Sequence, residues 1–119
     1  MANVLVCDDN PDILEMLAFV LEGEGHEVRT ATNGREVLGM VAECRPDLVL
    51  LDIRMPGLDG LGVLRALSQA GENSPPVVVL SAKTREEDRR AALEAGAMSF
   101  LGKPFELQTL LDTVGRYLP

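Results

Sequence analysis

The stretch "NVLVCDDNPD" (residues 3–12) runs the apolar segment Val4-Leu5-Val6-Cys7 straight into two adjacent carboxylates, Asp8 and Asp9, and then into Asn10-Pro11. An unbroken apolar run of this length reads as a strand covered on both faces, the habit of parallel sheets. Pro11 suits the first position of a helix, with Asn10 before it as the cap. The stretch is therefore the opening of a β-α unit, with two like charges at the mouth of a buried strand.

Working outward, the same alternation continues to the end of the chain. Strands are expected at Val4–Cys7, Glu27–Ala31, Leu48–Leu51, Val77–Leu80 and Met98–Gly102, with those around Leu48 and Val77 as apolar as the first. Ile13, Met16, Leu17, Val20 and Leu21 recur at helical spacing, as do Leu107, Leu110, Leu111, Val114 and Leu118, and both sets read as buried faces. Asn33 with Glu36, and Thr84 with Glu87, have the spacing of reciprocal helix caps. A helix over about 86–95 is charged, then rich in alanine, and offers only Leu93 as a large anchor; it should be the least firmly held. Parallel strands joined by helices need right-handed crossovers, which gives an α/β open sheet with helices on both faces.

The 119 residues, 46% of them hydrophobic, suit one domain spanning residues 1–119. No apolar run approaches the roughly 20 residues that cross a bilayer, and the start has no signal-type pattern, so the expected setting is cytoplasmic. A net charge of −8 argues against a nucleic-acid grip, which needs clustered Lys and Arg. Cations and basic protein surfaces are the better partners. Cys7 and Cys44 lack framework spacing and read as reduced structural thiols. His26 reads as a surface residue, Gly57, Gly60 and Gly96 as turn or helix-edge residues, and "REEDRR" as a solvated helix face.

In open α/β sheets ligands bind outside the carboxyl ends of the strands. Asp8 and Asp9 end the first strand, Asp52 the third, Ser81 the fourth and Lys103 the fifth, so a parallel sheet gathers three carboxylates, a hydroxyl and an ammonium on one rim. Two like charges 4 Å apart repel by about 4 kcal/mol at an effective dielectric near 20, so the cluster implies a cation. Hard oxygen ligands with open positions suit Mg²⁺, and no His or Cys cluster competes. Lys103 can pair with a carboxylate at rest and with a phosphoryl oxygen on its arrival, Ser81 can donate to another oxygen, and Asp52 has the chemistry of a nucleophile that forms an acyl phosphate.

These motifs, "VLVCDDN", "PDLVLLDIRMPGLDGL", "VVVLSAKT", "EAGAMSFLGKPF" and "ELQTLLDTV", resemble the receiver domain of bacterial two-component response regulators over essentially the whole chain. The resemblance implies a flavodoxin-like, doubly wound five-stranded parallel sheet of order 2-1-3-4-5 with five helices. It implies Asp52 as phosphoacceptor, Asp9 as direct Mg²⁺ ligand, Asp8 acting largely through water, and the Arg54 carbonyl completing the protein ligands. Ser81 matches the switch hydroxyl, Lys103 the phosphate-pairing lysine, Phe100 the aromatic that repacks, and Pro104 follows a cis bond from Lys103. Phe100 stands where many relatives carry tyrosine, so a hydroxyl-dependent contact there is lost. Arg54 and Lys83 are basic where relatives vary and are candidates for tuning phosphoryl lifetime.

The function so implied is a phosphorylation-activated signalling switch. It would be supplied by a histidine kinase, a phosphotransfer protein or a small donor such as acetyl phosphate, and read out on the surface of the fourth helix, fifth strand and fifth helix. The domain would catalyse its own phosphorylation and dephosphorylation, acting on a downstream protein or fused output domain, with phosphorylation-dependent homodimerisation left open. Two rivals are weighed. A Mg²⁺-dependent aspartyl phosphohydrolase would need a substrate pocket, for which little chain is left over. An unphosphorylated binding module would usually have lost part of the acidic set or the lysine, and this chain keeps both.

Overall fold

A computed structural model describes residues 2–54, 59–69, 71, 74–82 and 84–118. Ten elements alternate along it: β1 (Asn3–Cys7), α1 (Pro11–Gly23), β2 (Glu27–Ala31), α2 (Gly34–Cys44), β3 (Leu48–Asp52), α3 (Gly60–Ser68), β4 (Val77–Ser81), α4 (Glu86–Glu94), β5 (Ser99–Gly102) and α5 (Leu107–Tyr117). The five strands form one sheet of order β2-β1-β3-β4-β5 with every neighbour pair parallel. This is the flavodoxin-like order that the resemblance implies.

Side chains alternate faces along a strand, and the core divides accordingly. Leu5, Cys7, Val49, Leu51, Val77 and Val79 meet Val37 of α2, Val63, Leu64 and Leu67 of α3, and Ala92 of α4. Val4, Val6, Leu48, Leu50, Val78 and Leu80 meet Leu14, Leu17 and Leu21 of α1 and Leu110 and Val114 of α5. Both faces of the three central strands are thus covered, which is why those segments are apolar without interruption. The edge strand β2 exposes Glu27, Arg29 and Thr30.

The handedness of the crossovers explains which helix lies where. The chain leaves β1 toward β2 on one side, then reverses and adds β3, β4 and β5 on the other. Connections of one hand running in opposite directions put α1 on the face opposite α2, α3 and α4. The reversal lies between β1 and β3, and a switch point of this kind opens a crevice above the carboxyl ends of the two strands. Asp8 and Asp9 follow one of them and Asp52 ends the other.

Helix starts agree with the sequence at two places and differ at one. The Asn10 side chain accepts from the Asp12 amide at 2.9 Å with Pro11 behind it, and Asn33 accepts from Arg35 and Glu36 while its own amide reaches Glu36. α4, in contrast, has Arg85 at its cap position with no side-chain cap bond, so Thr84 does not close the box its spacing suggested. Three apolar positions also correct the expected faces. Met16 is 43% exposed, Leu107 45% and Leu93 39%, while Leu14, Leu17 and Leu21 form the inward stripe of α1 and Ala92 is the buried residue of α4. Both cysteines are free thiols. His26 is half-buried, its Nδ1 enclosed without a partner among the described residues. Gly57 lies outside the described residues.

Candidate functional site

Asp8 continues the β1–β2 ladder by one bond, its amide donating to the Ala31 carbonyl at 3.1 Å, and this holds its side chain at the crevice. It is 1% exposed. One carboxylate oxygen accepts from the Asn10 amide at 2.9 Å and the other from the Lys103 ammonium at 2.5 Å. Asp9, the next residue, stands in solvent. Asp52 closes β3 and is 6% exposed; Oδ1 accepts from the Arg54 amide at 2.9 Å and Oδ2 faces Lys103 at 3.3 Å. Ser81 is fully buried at the end of β4, and its carbonyl accepts from the Lys103 amide at 2.7 Å, which draws the chain after β5 toward the centre of the rim. The Lys103–Pro104 bond is cis.

One carboxylate oxygen from each of Asp8, Asp9 and Asp52 falls within 4.8 Å of the others. Among the described residues Lys103 is the cation that pairs with this cluster, through Asp8 and Asp52, and it leaves part of the carboxylate charge unpaired. At that separation each carboxylate pair repels by about 3 kcal/mol at an effective dielectric near 20. The uncompensated charge and the hard oxygen donors match a divalent cation of the Mg²⁺ type, and the exposed Asp9 leaves a solvent side on which waters can complete its shell. Burial by itself pulls the Lys103 ammonium down, but the hydrogen bond it donates to Asp8 and the charges of Asp52 and Asp8 outweigh it, and the net shift is upward. Beneath the rim, burial pushes the Cys7 thiol up, reinforced by the charges of Asp8 and Glu36, so it is a core residue and not a nucleophile.

Asp9, Asp52, Arg54, Ala82 and Lys103 line a cleft of about 310 Å³ over this cluster. Among the described residues the cleft is small and polar, with room for a phosphoryl group. The profile of the response regulator receiver domain family matches residues 4–115. This chain belongs to that family.

The receiver domain is 50% identical over 111 residues to the transcriptional regulatory protein PrrA of Mycobacterium tuberculosis, covering 93% of this chain and 47% of PrrA. It is 38% identical to protein PilH of Pseudomonas aeruginosa over 99% of this chain and 98% of that one. Chemotaxis protein CheY4 of Vibrio cholerae has the same fold, with a TM-score of 0.89 and 35% identity over 99% of both chains. The chain therefore spans about half the length of PrrA and nearly all of PilH. It is a signalling domain, a phosphorylation-activated switch.

Of the residues singled out from the sequence, Asp8, Asp9, Asp52 and Lys103 converge directly on the receiver's cleft, Arg54 lines it, and Ser81 joins through its backbone bond to Lys103. Phe100 lies apart from the charges. It is half-buried on β5 against the core cluster shared by α2, α3 and α4. Lys83 lies outside the described residues. Two glycines carry more than the sequence reading assigned them. A Cβ on Gly60 would lie 2.1 Å from the Ile53 carbonyl oxygen, so only glycine lets α3 begin against the segment just after Asp52. A Cβ on Gly102 would lie 2.6 Å from the Thr84 methyl, so Gly102 admits the β4–α4 segment beside Lys103. A glycine closing a strand directly before the rim lysine was the available signal.

Proposed function

We propose that Asp52 takes a phosphoryl group from a histidine kinase, a phosphotransfer protein or a small donor such as acetyl phosphate. A carboxylate oxygen of Asp52 bonds to phosphorus as the bond to the donor's imidazole or acetate breaks, and the leaving group carries away the electron pair. Asp9, Asp52 and the Arg54 carbonyl would hold Mg²⁺, with Asp8 acting through water. The ion supplies charge neutralisation for the transferring oxygens. Lys103 then moves its ammonium from the carboxylates to a phosphoryl oxygen while Ser81 donates to another, and hydrolysis resets the domain. Arg54 at the cleft and Lys83 two residues after Ser81 tune how readily water attacks; an Arg54→Ala, Lys83→Ala double variant is expected to change the dephosphorylation rate. The readout is the α4-β5-α5 face with Phe100 repacking, acting on a downstream protein or fused output domain in the cytoplasm, with residues 1–119 as a receiver domain.

The observation that carries this reading is the three-carboxylate cluster bridged by Lys103, with both Asp8 and Asp52 hydrogen-bonded to one ammonium. Intact mass after incubation with acetyl phosphate tests it, on the wild type and on Asp52→Asn, with Mg²⁺ or EDTA. A labile adduct that needs both Asp52 and Mg²⁺ is expected. An adduct that persists in Asp52→Asn, or none together with undetectable Mg²⁺ binding, overturns the reading in favour of a non-phosphorylated binding module.

A further inference from the structure

The sheet has two edges, β2 and β5, and β2 is the one remote from the proposed readout face. The Glu27 amide donates to the Ala2 carbonyl at 2.8 Å, and the Ala31 carbonyl accepts from the Asp8 amide at 3.1 Å, with Leu5 paired to Arg29 between them. Along a parallel ladder the residues that bond to a given neighbour alternate. Glu27, Arg29 and Ala31 therefore turn their backbone groups toward β1, and Val28 and Thr30 turn theirs to the open edge.

Side chains of β2 alternate between the two faces of the sheet. Ala31 packs in the cluster that holds Val37 of α2, so Glu27 and Arg29 stand on that face, and both are exposed. Glu22, Gly25, His26, Glu27, Val28 and Arg29 line a cleft of about 630 Å³, through which solvent reaches the strand. The strand has no proline and pairs with β1 in unbroken register, so neither a missing donor nor a bulge blunts its edge. Charge ordinarily guards an edge strand, because a copy brings the same charge against it. Here the two charges are opposite in sign and sit one residue to either side of Val28.

We infer that β2 is a docking edge for a second copy of this chain, the two strands running antiparallel about a two-fold axis at Val28. Since Val28 and Thr30 carry the outward backbone groups, a symmetric pair can centre on Val28, on Arg29 or on Thr30. Centring on Arg29 sets that guanidinium against its own copy, and centring on Thr30 sets neither charge against its opposite. Only the Val28 register places Glu27 across from the copy's Arg29, and symmetry makes the pair twice. Opposite charges facing each other across two strands stabilise and like charges destabilise, so charge selects this register. In it Val28 exchanges two bonds with its copy, and each Thr30 amide meets the opposite His26 carbonyl, the His26 amide being already bonded to the Leu21 carbonyl at 3.2 Å. The two rims then face opposite ways and both clefts stay accessible. The association does not depend on phosphorylation of Asp52.

Sedimentation equilibrium on the full chain with Mg²⁺ and no phosphoryl donor, from about 10 μM to about 1 mM, tests this. The wild type is expected to climb from the monomer mass toward twice that value across this range, since a few backbone bonds and two exposed ion pairs give a weak interface. Glu27→Arg alone and Arg29→Glu alone are each expected to raise the dissociation constant at least about tenfold, because each sets like charges against one another across the axis. Mixed in equal amounts, the two variants are expected to associate as tightly as the wild type, each offering the other two charges of opposite sign. By NMR, the Val28 and Thr30 amides are expected to exchange at least about threefold more slowly at the higher wild-type concentration, which puts the contact at β2. A wild type that stays monomeric throughout, single variants that associate like it, a mixture no tighter than either variant alone, or edge amides whose exchange ignores concentration overturns the inference.

Discussion

α1 and α4 occupy equivalent places, each leaving a central strand at the rim of the site, yet they are built differently. α1 starts with an Asn10 cap and Pro11 and seats Leu14, Leu17 and Leu21 in the core. α4 starts uncapped and seats one alanine methyl. A buried leucine side chain contributes about 1.5–3 kcal/mol, and a single methyl about 0.8 kcal/mol. The acidic pair on the β1 side is thus mounted on a rigid support, and the Ser81 side on a loose one. In the proposed switch, the firm support would seat the cation and the loose one would let a change pass on.

The largest test of this contrast is in the core. Leu17→Ala is expected to lower unfolding stability by about 3 kcal/mol in urea, whereas Leu93→Ala stays within about 0.5 kcal/mol. Similar losses from the two would erase the difference between the helices.

Next comes the residue that ties the β1 side to β3. Lys103→Met, measured in EDTA, is expected to cost about 1–2 kcal/mol, less than a fully enclosed pair because the side chain retains some exposure. The net shift of Lys103 is upward, so the contribution of the pairing is complete below the ordinary lysine value of about 10.4 and is lost as pH climbs through the higher native value. The gap between wild type and variant should stay flat from about pH 7 to 9 and narrow only above about 10.5. A gap that closes near neutral pH would show that the ammonium does not carry it.

The smallest effects lie at the helix starts. Asn10→Ala removes a cap and is expected to cost about 1 kcal/mol, while Arg85→Ser supplies one and should gain about 0.5 kcal/mol after the exposed ion pairs are lost. If the gain is real, exchange across the first half of α4 should slow with it, which would sharpen the contrast into a measured local stability.

Most of the fold was readable before any coordinates. Three uninterrupted apolar runs dictated buried parallel strands, and each strand lies within one residue of its expected bounds. The caps at Asn10 and Asn33 were legible because capping is local: the side chain and the amides it accepts from lie within three residues of each other. The site's membership was legible for a topological reason, since every parallel strand delivers its last residue to the same rim, and Asp8, Asp9, Asp52, Ser81 and Lys103 all stand at strand ends.

Three-dimensional packing decided the rest. Periodicity groups Ile13, Met16, Leu17, Val20 and Leu21, but the rotation of α1 on the sheet chose Leu14, Leu17 and Leu21 as the inward stripe and left Met16 outside. Leu93, the large residue of α4, was turned out in favour of Ala92 for the same reason. The bonding of Lys103 to Asp8 and Asp52, the seat of Thr84 against Gly102, and the clasp of Tyr117 on Ser99 join residues 18 to 95 positions apart. The amino-acid sequence determined the elements, their order and the chemistry at the strand ends, because hydrophobic pattern and capping act over a few residues. Which groups touch, and how deeply each helix is seated, depends on distances that exist only once the sheet has closed and the helices have docked.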